Sequence, residues 1–367
     1  MKRMILSVLL SCAMVMTLTA CAGKADETGS EKETIRIVES EHRTVSQSVD
    51  TVNTDSVQSD TETEVSPDVS VWYPYWDYAT ADAELKEMGD DLNTICFFAA
   101  YYDVNNKPFI PKDTTETYAK LNKNGTLKGR NTYLTFVNDK RLEKGSSLKD
   151  TDLLYALIGN EDLANQHVSD VIALTKSLGC GGVEIDYEAI RKDYALWELF
   201  NSFVTKLSRE ASNEGLALRI VFEPSAPFQN YTWPSDAEYV MMCYNLFGYG
   251  TEPGPKANPS WVKELAAKMN TLPGIKNLAF ATGGFDFSAD GKVAQIGKAD
   301  AVALLSQKNA EVQRDAASGA LWFDYTDEGG TTHQVWYADE ETINLWKQAG
   351  REGGINRVSI WRLGGNL

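Results

Sequence analysis

The order of apolar segments constrains the fold of this 367-residue chain more than any other feature of its sequence. From residue 69 onward, short runs rich in β-branched, aromatic and other apolar residues predict eight β-strands. These runs lie at residues 69–73, 94–101, 131–137, 182–187, 216–222, 238–244, 277–283 and 357–361. Helical patterns separate several of them, at residues 163–178, 194–207, 262–269 and 343–349. A steady alternation of strand and helix requires parallel strands joined by right-handed crossovers.

Two architectures satisfy this order, an α/β barrel and an open doubly wound sheet. The barrel is favoured because no glycine-rich phosphate loop follows the first strand, and because polar or aromatic residues stand at the C-terminal ends of several strands. After the seventh strand, residues 299–312 have helical spacing, and the runs 321–325 and 333–337 flank a turn at 327–330. The sequence therefore predicts a (β/α)8 TIM barrel over residues 69–367, with a helix-plus-hairpin insertion after strand 7 whose hairpin forms one wall of the barrel mouth.

The first 68 residues have a different composition from the rest of the chain. A basic start and an apolar run at residues 4–16 precede Leu18-Thr19-Ala20-Cys21, a pattern typical of a bacterial lipoprotein signal peptide. We expect residues 1–20 to be removed and Cys21 to be lipidated; an ordinary cleaved signal is the alternative. Residues 21–68 are rich in Ser, Thr, Asp and Glu and contain no aromatic residue, which predicts a disordered acidic tether. The expected location is the extracytoplasmic side of the cell membrane, with the protein held there by its lipid anchor.

Charge and cysteine usage exclude some classes of partner. The chain carries a net charge of −17, which argues against nucleic acid and against an anionic membrane surface as binding partners. Cys96, Cys180 and Cys243 lie in or beside apolar runs, and their spacing with the three histidines matches no zinc pattern. We expect buried free thiols and a monomer that uses no metal or cofactor.

The strand at residues 182–187 carries acids in an alternating pattern. Val183, Ile185 and Tyr187 alternate with Glu184, Asp186 and Glu188, so a period of two places the three carboxyl groups on one face. A solvated edge strand would explain this pattern without any function. The apolar residues between the acids instead indicate a covered strand, and because buried carboxylates are costly, the pattern favours a functional site.

Three strand ends resemble glycoside hydrolase family 18, the chitinase-like family. The segment Gly182-Val183-Glu184-Ile185-Asp186-Tyr187-Glu188 resembles the signature Asp-x-x-Asp-x-Asp-x-Glu at the end of the fourth barrel strand. Met242-Cys243-Tyr244-Asn245 is similar to Met-x-Tyr-Asp on the sixth strand. Ile360-Trp361-Arg362-Leu363-Gly364, together with residues 325–337, resembles the branch of spore-cortex and other cell-wall lysins. Gly181, Glu184 and Asn245 stand where the family pattern has aspartate.

The resemblance implies a retaining hydrolase of β-linked glycans that contain N-acetylglucosamine. In this family the substrate's own acetamide attacks the anomeric carbon, which gives an oxazolinium intermediate. Glu188 would be the general acid and then the base, while Asp186 would hydrogen-bond to Glu188 and then stabilise the acetamide N–H. Tyr244 would bind the acetamide oxygen and Trp361 would form the floor under the sugar. The remaining predicted substrate-binding residues are Glu184, which would lie one layer deeper and couple to Asp186, and Asn245, Tyr101 and Trp336.

The sequence leaves several alternatives open. Chitooligosaccharides, peptidoglycan and the chitobiose core of N-glycans all contain the required sugar, and either endo or exo action is compatible with the motifs. A catalytically silent, lectin-like surface protein is the rival function. The presence of Glu188 favours the enzyme, because silent members of the family commonly lose this acid, whereas Asn245 and Gly181 favour the rival.

Overall fold

The computed structural model describes residues 68–365 and contains a closed barrel of eight parallel strands. The strands are β1 (Val69–Pro74), β2 (Leu92–Tyr102), β3 (Asn131–Arg141), β4 (Gly182–Asp186), β5 (Ala217–Phe222), β6 (Glu238–Met242), β7 (Ile275–Ala281) and β8 (Val358–Trp361). Each strand pairs in parallel with the next, and β8 closes the barrel on β1, where Val358 lies opposite Val69. The predicted TIM barrel and its eight strands are confirmed.

Helices cover the outside of the barrel. The α-helices of the described residues are α1 (Tyr78–Met88), α2 (Lys112–Lys123), α3 (Thr151–Ile158), α4 (Glu161–Leu178), α5 (Tyr194–Asn213), α6 (Pro259–Met269), α7 (Lys298–Lys308) and α8 (Glu340–Glu352). Short 3-10 helices occupy Tyr75–Asp77, Gly89–Asp91 and Phe228–Asn230, and the last of these is the one helical turn described between β5 and β6. The four helices expected from apolar spacing are α4, α5, α6 and α8, and all four are confirmed.

Local chemistry fixes where the central strand β4 begins. Helix α4 ends at Gly179, whose φ of 93° is a left-handed conformation that glycine adopts without steric cost. At Gly182 a Cβ atom would lie 2.4 Å from the ring of Tyr133, so only glycine fits there. From this start Val183 and Ile185 point outward into the core under the helices. By alternation Glu184 and Asp186 then point into the barrel.

The insertion after β7 is an antiparallel sheet of five strands with α7 packed on one face. Its strands are Gly283–Ser288, Val293–Ile296, Gln313–Arg314, Leu321–Thr326 and Thr332–Ala338. Ala301 of α7 lies in a buried apolar cluster with Phe323, Val335 and Tyr337. The predicted helix and hairpin are therefore confirmed as elements. Two further two-residue strands, Pro108–Phe109 and Ser146–Ser147, pair antiparallel with β2 and β3.

Other expectations concern the cysteines, the leader and metal binding. Cys96, Cys180 and Cys243 are buried free thiols, as predicted. The signal peptide, Cys21 and the tether up to residue 67 lie outside the described residues. Within residues 68–365, no helix is long and apolar enough to cross a membrane. The same residues contain no group of three or more His, Cys, Asp or Glu side chains arranged to hold a metal ion.

Candidate active site

Glu188 lies just beyond the C-terminal end of β4, where its backbone is held on both sides. The Glu188 N–H donates to Asn138 Oδ1 at 2.9 Å, and Asn138 Nδ2 donates to the Glu188 carbonyl at 3.1 Å. Asn138 is buried in β3, the strand that pairs with β4. The next residue, Ala189, has a φ of 65° and donates its N–H to Glu223 Oε2 at 3.0 Å. The backbone around Glu188 is therefore fixed while its carboxyl group stays partly exposed.

Burial and the neighbouring charged groups, Lys149, Glu223 and Asp139, act on the pKa of Glu188. Burial raises the pKa and dominates, the ammonium of Lys149 lowers it, and the nearby Glu223 raises it. Lys149 Nζ lies 2.5 Å from Glu188 Oε2. The net direction is upward from the ordinary glutamate value, which is the direction that a general acid working near neutral pH needs.

Asp186 is buried at the end of β4, and one of its oxygens has no partner. No hydrogen bond to Asp186 Oδ1 is formed by any of the described residues, although a buried carboxylate oxygen normally has one. Burial raises the pKa of Asp186 well above its usual value, and the charges of Glu188 and Glu184 raise it further. The predicted hydrogen bond between Asp186 and Glu188 is absent from the described contacts; the two carboxyl groups interact through charge instead.

Tyr244 and Trp361 come from opposite parts of the chain and pack on the same apolar cluster inside the barrel. The pKa of the Tyr244 hydroxyl is raised by burial and then by the charges of Asp186, Glu188 and Glu184, so Tyr244 lies near the acids. The Trp361 ring lies edge-on to Trp72, with the two ring centroids 5.7 Å apart. The structure therefore brings the strand ends of β4, β6 and β8 together, as the sequence motifs predicted.

Glu184 lies beneath this group and is fully enclosed. It accepts hydrogen bonds from Trp72 Nε1 at 2.6 Å, Thr135 Oγ1 at 2.7 Å and Arg219 Nε at 2.8 Å. Arg219 Nη1 also donates to Glu238 Oε1 at 2.9 Å. The expectation that Glu184 contacts substrate is corrected, because none of its surface is exposed. Its predicted coupling to Asp186 is present as a charge effect on the Asp186 pKa.

Two further aromatic residues that were predicted to bind substrate, Tyr101 and Trp336, have partners within the protein. Tyr101 is only 2% exposed, and the Arg141 guanidinium lies 4.1 Å from its ring centroid. Its ring therefore packs inside the structure and does not face a sugar. Trp336 lies in the insertion sheet, where it stacks on Trp322 with ring centroids 5.7 Å apart and donates Nε1 to Gln334 at 2.7 Å.

A cavity of about 270 Å³ opens beside Tyr244 and Trp361. Its other lining residues are Asn245, Lys256, Thr282, Gln295, Ile296, Gly297, Arg362 and Gly365. The insertion thus contributes residues 295–297 to the lining of this cavity, and the expectation that the hairpin at 321–338 forms a wall of the barrel mouth stays a prediction. A larger cavity of about 720 Å³ lies between α1 and α8. The acids of β4 line neither cavity; the 270 Å³ cavity adjoins the site through Tyr244 and Trp361, which do not line the larger one.

Comparison with known proteins agrees with this geometry. No family model matches the sequence. A Bacillus subtilis (strain 168) protein named uncharacterized glycosylase YvbX is 26% identical over 278 residues, covering 68% of this chain and 79% of that protein. A Bacillus cereus cortical fragment-lytic enzyme is 23% identical over 291 residues, covering 74% of this chain and 66% of that enzyme. These relatives support a glycoside hydrolase.

A solved structure extends the likeness to the fold. A chitinase from Chromobacterium violaceum has a TM-score of 0.71 at 18% identity, covering 82% of this chain and 95% of that one. In such a barrel hydrolase the active site lies at the C-terminal ends of the strands, which is where Glu188, Tyr244 and Trp361 are found. At this level of identity the structural match shows the fold alone.

Sequence reasoning missed two charged residues at the centre of the site. Arg219 could have been found, because the two-residue alternation of β5 points it inward, opposite Glu184. Lys149 gave no such signal. It comes from the loop between β3 and α3, with a φ of 51° and its N–H bonded to Asp139 Oδ1 at 2.8 Å, and loop geometry of this kind has no periodic pattern.

Proposed function

We propose that this protein is a retaining glycoside hydrolase that cleaves β-linked, N-acetylglucosamine-containing glycans with assistance from the substrate's acetamide group. The observation that carries the proposal is the buried, unpartnered Asp186 Oδ1 next to a partly exposed Glu188 of raised pKa. One oxygen is free to accept an acetamide N–H, and a neighbouring carboxyl group can carry a proton. The names of the relatives, a glycosylase and a cortical fragment-lytic enzyme, support this chemistry and favour a cell-wall glycan among the possible substrates.

In the first step Glu188 acts as the acid. Its carboxyl proton passes to the glycosidic oxygen while the bond from that oxygen to the anomeric carbon breaks. The acetamide oxygen forms a new bond to the same carbon and closes an oxazolinium ring. Asp186 accepts the acetamide N–H and stabilises the positive charge of the ring, while the Tyr244 hydroxyl orients the acetamide.

In the second step Glu188 acts as the base. Its carboxylate takes a proton from a water molecule, whose oxygen attacks the anomeric carbon and reopens the ring. Two inversions give net retention of configuration. The apolar floor formed by Trp361, which packs on the buried Trp72, limits the access of other water molecules, so the intermediate reacts at the position that Glu188 controls.

We propose further that the protein is exported and held at the membrane by a lipid on Cys21. The support is the sequence pattern that ends in Leu18-Thr19-Ala20-Cys21. Cys21→Ser should move the full-length protein from the membrane fraction to the soluble fraction of the cells that express it. Unchanged partition of this variant would remove the case for lipidation at this residue.

The hydrolase proposal is tested with Glu188→Gln, which keeps the size and the hydrogen-bonding oxygen of the side chain but cannot carry the proton. Turnover of a chromogenic chitobioside, of peptidoglycan and of an N-glycan should fall by roughly 100- to 10,000-fold on whichever substrate the wild type cleaves. Glu214→Gln is the matched control, since Glu214 pairs with Lys176 on the surface, and it should keep wild-type turnover. Full activity of Glu188→Gln would exclude the mechanism. Binding of these glycans by the wild type without any turnover would favour the lectin-like alternative.

A further inference from the structure

The cavity beside Tyr244 holds two cations, and one of them has no acidic partner. Arg362 is paired with Asp77 through its Nη1. Lys256 donates Nζ to the backbone carbonyl of Thr282 at 2.9 Å, and its ammonium lies 5.1 Å from the centroid of the Phe285 ring. Among residues 68–365, no carboxylate forms an ion pair with Lys256.

The surroundings of Lys256 make its charge costly. Burial lowers the pKa of the ammonium to about 8, and the positive charge of Arg362 contributes to the shift. The Thr282 carbonyl oxygen accepts a hydrogen bond from the ammonium and the Phe285 ring lies close to it, but neither group neutralises its charge. A bound anion would neutralise this charge, and none of the side chains that line the cavity with Lys256 is a carboxylate.

A second lysine shows what an equivalent structural role looks like. Lys268 of α6 donates Nζ to the carbonyls of Pro224 and Ala226 at 3.0 and 2.7 Å, and it lies 4.7 Å from the centroid of the Phe228 ring. It ties a loop to a helix and does not line the cavity beside Tyr244. Among the residues that the structure describes, Lys256 has one carbonyl partner. It lines the cavity together with Tyr244 and Trp361, so its place is that of a ligand-binding group.

We propose that Lys256 binds a carboxylate carried by the glycan, and that the protein therefore prefers glycans in which N-acetylglucosamine is linked to an acidic sugar. This inference rests on the proposed function and specifies its substrate class. Lys256 carries one positive charge that no described carboxylate pairs with. A ligand group with one negative charge therefore suits it, such as a lactyl ether carboxylate on the sugar. The chain as a whole carries a net charge of −17, which repels an anionic glycan. The cationic side chains of this cavity attract the carboxylate of the glycan locally.

The test measures the effect of one negative charge on binding. The full-length chain carrying Glu188→Gln is titrated by calorimetry with the disaccharide of N-acetylglucosamine and N-acetylmuramic acid, once as the free lactyl acid and once as its methyl ester. We expect the acid to bind about tenfold more tightly than the ester, as for a charge-assisted hydrogen bond. Adding Lys256→Met should bring this ratio close to one, Lys256→Arg should retain most of it, and Lys268→Met should leave it unchanged.

The outcomes separate this inference from the proposed function. Equal affinity for acid and ester, no detectable binding of either, or loss of the preference in Lys268→Met would overturn the role of Lys256. Hydrolysis of the neutral chromogenic chitobioside by the wild type does not depend on the carboxylate. Absence of all hydrolysis would count against the proposed function, and an acid preference in binding would still establish the carboxylate site.

Discussion

At the scale of single residues, the protonation of Glu188 depends on a balance that one side chain can shift. Burial raises the pKa of Glu188, whereas the Lys149 ammonium lowers it. Removing the ammonium in Lys149→Met should therefore raise the pKa of Glu188 further. The acid must be protonated for the first step, so the alkaline limb of the kcat/KM profile should move to higher pH.

The measurement is a full pH profile of wild type and Lys149→Met on the same chromogenic substrate. Lys144→Met is the matched control, because Lys144 is an exposed lysine of the same loop, and its profile should superpose on that of the wild type. A shift of the alkaline limb toward lower pH in Lys149→Met would show that the lysine does not act on the acid through its charge.

The residues of the site differed in how well the sequence predicted them. Glu188, Tyr244 and Trp361 follow strands with clear apolar patterns, so their convergence at one mouth follows from the barrel. Tyr101 was misassigned because periodicity cannot show that a neighbouring arginine will cover an aromatic ring. Lys256 could not be predicted, since it reaches the cavity from a long loop after β6 whose path depends on contacts such as the bond from the Leu246 N–H to the Lys256 carbonyl.

At the scale of the barrel strands, a buried charged layer supports the site from below. Arg219 of β5 bridges Glu184 of β4 and Glu238 of β6, and it is 1% exposed. Such a layer contributes little net stability compared with apolar packing, but removing one partner leaves the others buried without compensation. Arg219→Met should therefore lower the free energy of unfolding by about 3 to 5 kcal/mol.

Urea denaturation at pH 7 measures this change. Arg209→Met is the comparison, because Arg209 pairs with Glu210 on the surface of α5 with its side chain 67% exposed. This control should change the unfolding free energy by no more than about 0.5 kcal/mol. A loss of less than about 1 kcal/mol in Arg219→Met would contradict the view that its two acidic neighbours need it.

The same strands show why the fold was more predictable than the insertion. A barrel strand must alternate between the interior and the helix layer, so its pattern repeats eight times and each repeat supports the others. The insertion sheet occurs once, and its pattern predicts a helix and a hairpin without indicating their orientation. Gln295 and Ile296, which line the cavity, belong to the short edge strand Val293–Ile296, which is too brief to give a periodic signal.

At the scale of the whole molecule, stability depends on pH through groups that work in opposite directions. Asp186 and Glu188 have raised pKa values, so the folded state binds protons more readily than the unfolded state, and their charges oppose folding as pH rises. The buried His167 changes stability with pH in the opposite direction. Its ring stacks on Phe203, and its Nε2 lies 2.7 Å from the Tyr187 hydroxyl.

His167 should set much of the acid sensitivity of the fold. Burial lowers its pKa to about 3, whereas the unfolded chain has a histidine pKa of about 6.5. Its contribution to stability is therefore complete above pH 6.5 and is lost as pH falls toward 3, because the unfolded state takes up the proton first. Between pH 8 and pH 4.5 this loss is about 3 kcal/mol, at about 1.4 kcal/mol per pH unit.

The variant His167→Phe tests this contribution. Tyr187 keeps its hydrogen bond to Tyr102 at 2.6 Å, and denaturation at pH 8 measures the combined cost of repacking and of the lost bond between His167 and Tyr187. The fall in unfolding free energy from pH 8 to pH 4.5 should then be about 3 kcal/mol smaller in the variant than in the wild type, and parallel curves for the two proteins would rule out His167 as the group responsible.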